Sequence, residues 1–337
     1  MKKLLFFTLL AAVFALGCYQ QSNKNKAAAS AQAIANKPKD TLIFADTALS
    51  DLVKRTYHIF KVWDTISLGV KYDIRKLNFN KNELTTIQQF GEDGVTPKDS
   101  VALRFMFEGV SLSTSFDEMV SGNLVKILNW KNINKYNLSL LLNPYLIAAR
   151  STDGRLYNFS YDQKTGGTYR SRTSVTYYTP SNSSKSAIIS VDSDTSAFVS
   201  DGYSTIDTIP TKKGTAYILN GGVIGCSTCM GSYITMVHFE NGKFVRDFQY
   251  DFTSRMEEDG ETGNIGYDAK AREIFVSYLT DDETPSCNCG PNGTLDYNEM
   301  HNNPEYPFHS EVNCWYRFNG HTFKLKKKKI KINKHPK

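Results

Sequence analysis

The side chains best able to do chemistry in this 337-residue chain are thiols, carboxylates and imidazoles gathered in its last third. Five of the six cysteines lie there: Cys226, Cys229, Cys287, Cys289 and Cys314. The spacing Cys226-Ser227-Thr228-Cys229 admits a local disulfide, half of a metal site, or a redox pair. A redox pair needs a helix N-terminus just beyond it to lower a thiol's pKa. Here the pair follows Gly221-Gly222 and leads into the strand pattern Tyr233 to Phe239. Structural disulfides are therefore the first expectation, and a metal site the second. A bridge from Cys314 to Cys287 or Cys289 would close a loop of roughly 25 residues and restrict the unfolded chain by about 3 kcal/mol in the entropic model. Cys226 and Cys229 would pair with each other or capture the remaining loop cysteine, and spacing alone leaves the connectivity open.

Between Asp281 and Asn313 the sequence reads as one long loop that carries Asp281, Asp282, Glu283, Asp296, Glu299, His301, Glu305, His309 and Glu311. Loops of this length in a β-rich chain are functional, disordered or stapled. The weak metal-ligand candidates are Asp296, Glu299, His301 and His309. Asp296-Tyr297-Asn298-Glu299 is not a calcium-loop series, and His301 with His309 lacks the glutamate of a helical zinc motif. A polar surface loop pinned by disulfides fits these residues better, and no cofactor is expected. Gly202-Tyr203-Ser204-Thr205 is not a nucleophile elbow, so no catalytic residue is assigned. Glu257 to Glu261 reads as a solvated acidic turn. Nineteen tyrosines and twenty phenylalanines offer rings for stacking on sugars, though cross-strand and core packing claim most rings in a β-rich chain.

These residues must be held by strands. From Tyr145 onward, short alternating aromatic and β-branched runs are separated by turn dipeptides: Asp153-Gly154, Asn241-Gly242 and Asn319-Gly320. Each supplies the positive φ that a tight hairpin demands. Further strands are expected at Tyr169 to Tyr178, Ala187 to Val191, Thr215 to Leu219 and Glu273 to Leu279. Hairpins without helical interruption make an antiparallel meander, arranged as a sandwich or as propeller-like blades. Residues 41–143 are mixed α/β instead. A helix capped by Asp46 or Thr47 carries Leu49, Leu52, Val53, Phe60 and Trp63 on one face, others are expected from Lys81 to Phe90 and Phe116 to Leu128, and Val101 to Phe107 reads as a strand. The chain is thus mainly β, with a β-rich domain over 144–333 behind a smaller mixed region.

The N-terminus carries an address. Lys2-Lys3, an apolar run from Leu4 to Phe14 broken only by Thr8, and the small-residue stretch Ala15-Leu16-Gly17-Cys18 form an export signal over residues 1–17, too short for a permanent membrane span. Residues 18–40, rich in Ala, Ser, Asn, Gln and Lys, form a flexible tether. The formal charge of +6 is carried by the tail, since Lys324 to Lys337 holds eight lysines and no acid. The folded body is mildly acidic, which argues against a nucleic-acid partner. Lysines in that tail either guard a sheet edge or meet anionic head groups or acidic polysaccharide.

Gly17-Cys18 resembles the lipobox of bacterial lipoproteins, with Ala15 where a leucine is usual; the resemblance implies that Cys18 becomes the acylated N-terminus. The segment Ser151-Thr-Asp-Gly-Arg-Leu-Tyr-Asn-Phe-Ser-Tyr161-Asp162-Gln-Lys-Thr-Gly166-Gly167-Thr168 resembles a strand-turn-strand stretch of exported Bacteroidota proteins, where Trp often stands at the Tyr161 position, and implies no activity. Together they liken the chain to Bacteroidota-type exported lipoproteins. Tyr19, where some bacteria use Asp to retain lipoproteins at the inner membrane, implies the outer membrane. The lack of an acidic cluster after Cys18 implies its periplasmic face. A lipid-anchored binding or structural module of the envelope, with a glycan or envelope protein as partner, is the functional expectation. The alternative is a glycan- or peptide-hydrolysing enzyme that uses the acidic 281–313 loop.

Overall fold

The computed structural model describes residues 44–90, 106–164, 170–180, 187–190, 197–199, 201–225, 229–257, 260–261, 263–280, 293–295 and 310–332. Helix α1 (Thr47–Thr65) starts where its cap dictates: the Asp46 carboxylate accepts a hydrogen bond from the Leu49 amide. Its buried positions Leu49, Thr56, Ile59, Phe60 and Trp63 fall on one face. A short β1 (Lys71–Asp73) pairs antiparallel with β2 (Met106–Glu108), and α2 (Lys81–Phe90) lies between them in sequence. Asn80 and Glu83 cap α2 reciprocally, each side chain bonding the other's amide at 3.0 and 2.8 Å. Helix α3 (Gly109–Leu128) begins seven residues before the apolar pattern predicts. Its first turns read Gly-Val-Ser-Leu-Ser-Thr-Ser, poor helix formers that tertiary contacts hold. Gly109 lies so close under the Ser67 carbonyl that a Cβ there would collide with it, and the Ser113 hydroxyl donates to the Gln163 carbonyl at 2.7 Å.

From Ile147 onward the described residues form mainly antiparallel sheet, as the hairpin pattern predicts. The first sheet is a four-stranded meander, β3 (Ile147–Arg150), β4 (Leu156–Asp162), β5 (Arg172–Tyr178) and β6 (Ala187–Ser190). The second runs β7 (Thr205–Thr211), β8 (Gly214–Ile224), β9 (Cys229–Glu240) and β10 (Lys243–Glu257), extended beyond β10 by β11 (Gly260–Glu261). The third contains β12 (Gly263–Asp268), β13 (Glu273–Thr280), β15 (Ser310–Phe318) and β16 (Phe323–Ile332). Between β13 and β15 in sequence, β14 (Gly293–Leu295) pairs parallel with β10 of the second sheet. The expected loop is therefore interrupted by β14, and β15 begins at Ser310 rather than at Cys314. No helix among the described residues is long and apolar enough to cross a membrane.

The turns differ in chemistry. Asn241 and Gly242 both have positive φ, 54° and 82°, in a two-residue loop that matches strand twist. At the other two expected turns only the glycine is left-handed, Gly154 at 69° and Gly320 at 97°, and the loops are longer. In the last, the Asn319 side chain accepts from the amides of His321 and Thr322. Strand β7 escapes sequence reading because Pro210 interrupts it; beyond β8 its only partner among the described residues is a single Ser151–Ile206 bridge, so the missing amide breaks no ladder.

Burial follows the period of two. In β8, Tyr217 and Leu219 pack against the first sheet with Leu156, Tyr178 and Tyr203, whereas Ala216 and Ile218 pack against the third with Ile274, Val276 and Tyr316. The second sheet is covered on both faces, and the middle of β8, Ala216 to Leu219, accordingly reads as a continuous apolar run. The outer face of the first sheet carries Tyr157, Phe159, Tyr161, Val175 and Tyr177, which pack with the helices around Trp63, Phe116 and Leu124. Helices and three meanders are thus stacked in chain order.

Candidate functional site

At one end of the first sheet the start of β3, the end of β4 and the start of β5 meet the end of β8, and a hollow of about 250 Å³ opens among them. Its walls are Pro144, after a cis bond to Asn143, with Tyr145, Ile147, Tyr161, Asp162, Arg170, Arg172 and Ile224. Ile147 and Ile224, 40% and 36% exposed, add apolar surface to its rim. The backbone fixes the charged groups. The Arg170 amide donates to the Ile224 carbonyl at 3.0 Å, bringing β8 to the first sheet. The Arg172 amide donates to Asp201 at 3.0 Å, and its guanidinium lies 3.5 Å from the Gly222 carbonyl. Asp162 lies 4.0 Å from the Arg170 guanidinium and accepts from the Lys164 amide at 2.7 Å.

Tyr145 is held by its ring, stacked on Phe60 at 5.1 Å with 6° between planes and meeting Tyr57 edge-on at 5.0 Å. Burial pushes its phenol pKa up, with Tyr57 and Asp64 adding to the shift, so it stays a neutral donor. Two guanidinium groups, one carboxylate and one fixed phenol beside two exposed isoleucines can hold an anionic, hydroxyl-bearing ligand. Arginine matches carboxylate geometry, while Asp162 accepts from hydroxyls.

A larger cleft of about 410 Å³ lies among α1, α2 and α3, lined by Arg55, Asn80, Glu83, Glu118, Asn123 and Lys126 among others. Its central charges serve the helices: Glu83 completes the Asn80 cap and is ion-paired with Arg55. Three further polar networks also join elements. Tyr161 and Thr173 both donate to the Asp117 carboxylate, at 2.8 and 2.7 Å, pinning α3 to the first sheet. Lys164 donates to the Trp63 carbonyl at 2.8 Å. Asp153 gathers Ser151 at 2.6 Å, Arg155 at 2.7 Å and Tyr217 at 3.1 Å, joining the first two sheets. Burial pushes the Asp153 carboxyl up, but the hydrogen bonds from Ser151 and Arg155 outweigh it and leave it below its ordinary value. Of the segment singled out from Ser151 to Thr168, the described part, Ser151 to Lys164, is therefore a joint: one end binds β8, the other the helices.

A residue the sequence did not suggest is His238. It is buried in β9, with Nδ1 2.6 Å from Asp247 and Nε2 3.1 Å from Glu240. The register shifts between Arg246 and Phe248, so Asp247 is the extra residue of a bulge and reaches His238. Hydrogen bonds from His238 and then Lys213 lower the Glu240 carboxyl. Both ring nitrogens are occupied, so this histidine clamps the hairpin. The visible signal was only a histidine and two acids flanking a hairpin turn.

Of the cysteines, Cys229 opens β9, directly in strand with no helix after it, which removes the geometry a redox pair requires. Cys314 is fully buried in β15, between the second and third sheets. Cys18, Cys226, Cys287 and Cys289, together with Asp296, Glu299, His301 and His309, lie outside the described residues. Among the described residues no group of three or more His, Cys, Asp or Glu is arranged to hold a metal ion. No protein-family model, curated protein or solved structure matches the chain.

Proposed function

We propose that this protein is a lipid-tethered cell-envelope module that binds a carboxylate-bearing glycan in the hollow between Tyr145, Asp162, Arg170 and Arg172. The single observation behind this reading is that hollow, where two arginines, a carboxylate and a rigid tyrosine converge beside exposed isoleucines. At about 250 Å³ it suits one ring or one acidic branch of a larger ligand. Isothermal titration with oligogalacturonate, against a neutral galacto-oligosaccharide, tests it. The acidic oligomer should bind, and Arg172→Gln should weaken it at least about tenfold by removing a charge-assisted pair. Equal binding of the neutral sugar, or no loss in the variant, overturns the assignment. Cleavage of the oligomer would replace it with the hydrolase reading.

The tether and the staples belong to the same proposal. Cys18 is the acylated residue at the outer membrane, facing the periplasm, and buried Cys314 forms a disulfide with a cysteine outside the described residues. Non-reducing mass spectrometry of protein extracted from the envelope reads both. The expected mass carries acyl chains lost in Cys18→Ser, and tryptic digestion yields Cys314 only in a cross-linked peptide. An unacylated parent, or an alkylatable Cys314, contradicts the respective half.

A further inference from the structure

The lysine-rich tail is absorbed by none of these roles. It forms β16, the last strand of the third sheet, paired along one side with β15. Alternate residues of this sheet, including Ile274, Val276, Val312, Tyr316 and Phe323, pack into the core. The other face looks outward, and register places its residues in rows across the strands. Glu273, Arg317 and Lys324 form one row, and Phe275, Trp315 and Lys327 the next. Ser277, Asn313 and Lys329 follow, then Leu279, Glu311 and Lys331. Every lysine from Lys324 to Lys331 is exposed.

Guarding an edge explains lysines there, but not an aromatic pair in the middle of a solvent-facing sheet. Phe275 and Trp315 are only half-buried, and their rings meet at 5.2 Å. Lys327 places its ammonium 4.8 Å from the centre of the Trp315 ring. That occupies the ring face a sugar would stack upon, and leaves an indole and lysine stems topped by ammonium groups. Glu273 is neutralised by Lys326 at 2.6 Å and Arg317 at 3.7 Å, so the exposed edge keeps a cationic excess. An apolar aromatic centre beside a row of lysines spaced roughly 7 Å apart along a strand is complementary to an anionic bilayer surface, where aromatic rings sit at head-group depth and lysines reach the charges.

We propose that this outer face of the third sheet, centred on Trp315 and the Lys324–Lys331 edge, docks on anionic lipid head groups. The inference rests on neither the ligand hollow nor the acyl anchor. Its test uses residues 18–337 carrying Cys18→Ser, so that no acyl chain contributes, sedimented with phosphatidylcholine vesicles with and without phosphatidylglycerol. Binding should require the anionic lipid, fall with salt, and shift Trp315 emission to the blue, a shift absent in Trp315→Phe. Replacing Lys324, Lys327 and Lys329 by Gln should lower partitioning on the order of 100-fold, whereas Arg at the same positions should preserve it. Matching far-UV circular dichroism of the Gln variant excludes misfolding, and Arg172→Gln should leave vesicle binding unchanged. Equal binding to neutral vesicles, undiminished binding by the Gln variant, or binding to polygalacturonate and not to vesicles overturns the proposal.

Discussion

Asp201 sits where burial and hydrogen bonding pull in opposite directions. Burial pushes its carboxyl up, and the Arg172 amide and guanidinium pull it down by less, so its pKa ends above the ordinary value. A carboxyl whose folded pKa exceeds its unfolded one holds its proton more tightly in the native state. Its favourable contribution is complete below the unfolded pKa and is lost as pH rises through the folded one. Asp201→Asn, which keeps an acceptor for the Arg172 amide, should therefore raise the urea midpoint at neutral pH. The gain should shrink as pH falls through the carboxylate range. A pH series of urea melts on both proteins reads this, and a gain that grows on acidification would show that the charged form is the stabilised one. Tyr203, fully buried beside Asn158 and Thr235, has its phenol pushed up to about 12 by that burial, so it stays neutral throughout such a series.

At the scale of elements, two left-handed glycines separate turn chemistry from packing. Gly242 has φ 82° with open space where a Cβ would stand, so Gly242→Ala should cost only the backbone penalty, about 1–2 kcal/mol. Gly202 has φ 77° and presses against Ser160 and Asn158 of β4, with its carbonyl accepting from the Tyr233 hydroxyl. There the same substitution adds a steric collision between two sheets and should cost about 3 kcal/mol or more. Chemical denaturation of the two variants gives the comparison, and equal losses would mean that the 201–203 segment yields freely. The glycines look alike in sequence. A neighbouring strand distinguishes them.

For the whole molecule, stacking in chain order makes the second sheet an interior layer. Ile218 and Leu219 are adjacent in β8 and both fully buried, but on opposite faces and in different cores. Each change to alanine should cost about 2–5 kcal/mol, where an ordinary half-exposed strand would register only one of them. Because the two side chains belong to different cores, the two losses should add to within about 0.5 kcal/mol in the double variant. Equilibrium unfolding of the set measures this. A negligible loss at either position would mean that one face of the sheet is open to water.

What the sequence determined by itself was local. The cap at Asp46 and the helical period of Leu49 to Trp63 set α1, apolar spacing placed α2, and Asn241-Gly242 fixed a two-residue turn, because capping and positive φ are decided within a few residues. Apolar alternation was enough for a mainly antiparallel β fold. Where local preference was weak, the tertiary structure decided: the Ser-rich start of α3 is helical because Gly109 fits under Ser67 and Ser113 bonds the end of β4. Pro210 is tolerated because β7 has no strand ladder on that side, and the Asp247 bulge becomes meaningful only when it reaches His238 on β9. The hollow brings together residues from 144 to 224 that share no motif, since its geometry depends on which strand ends become neighbours. Side-chain chemistry and turn preference are carried residue by residue, whereas the stacking of sheets is a property of complementary buried faces.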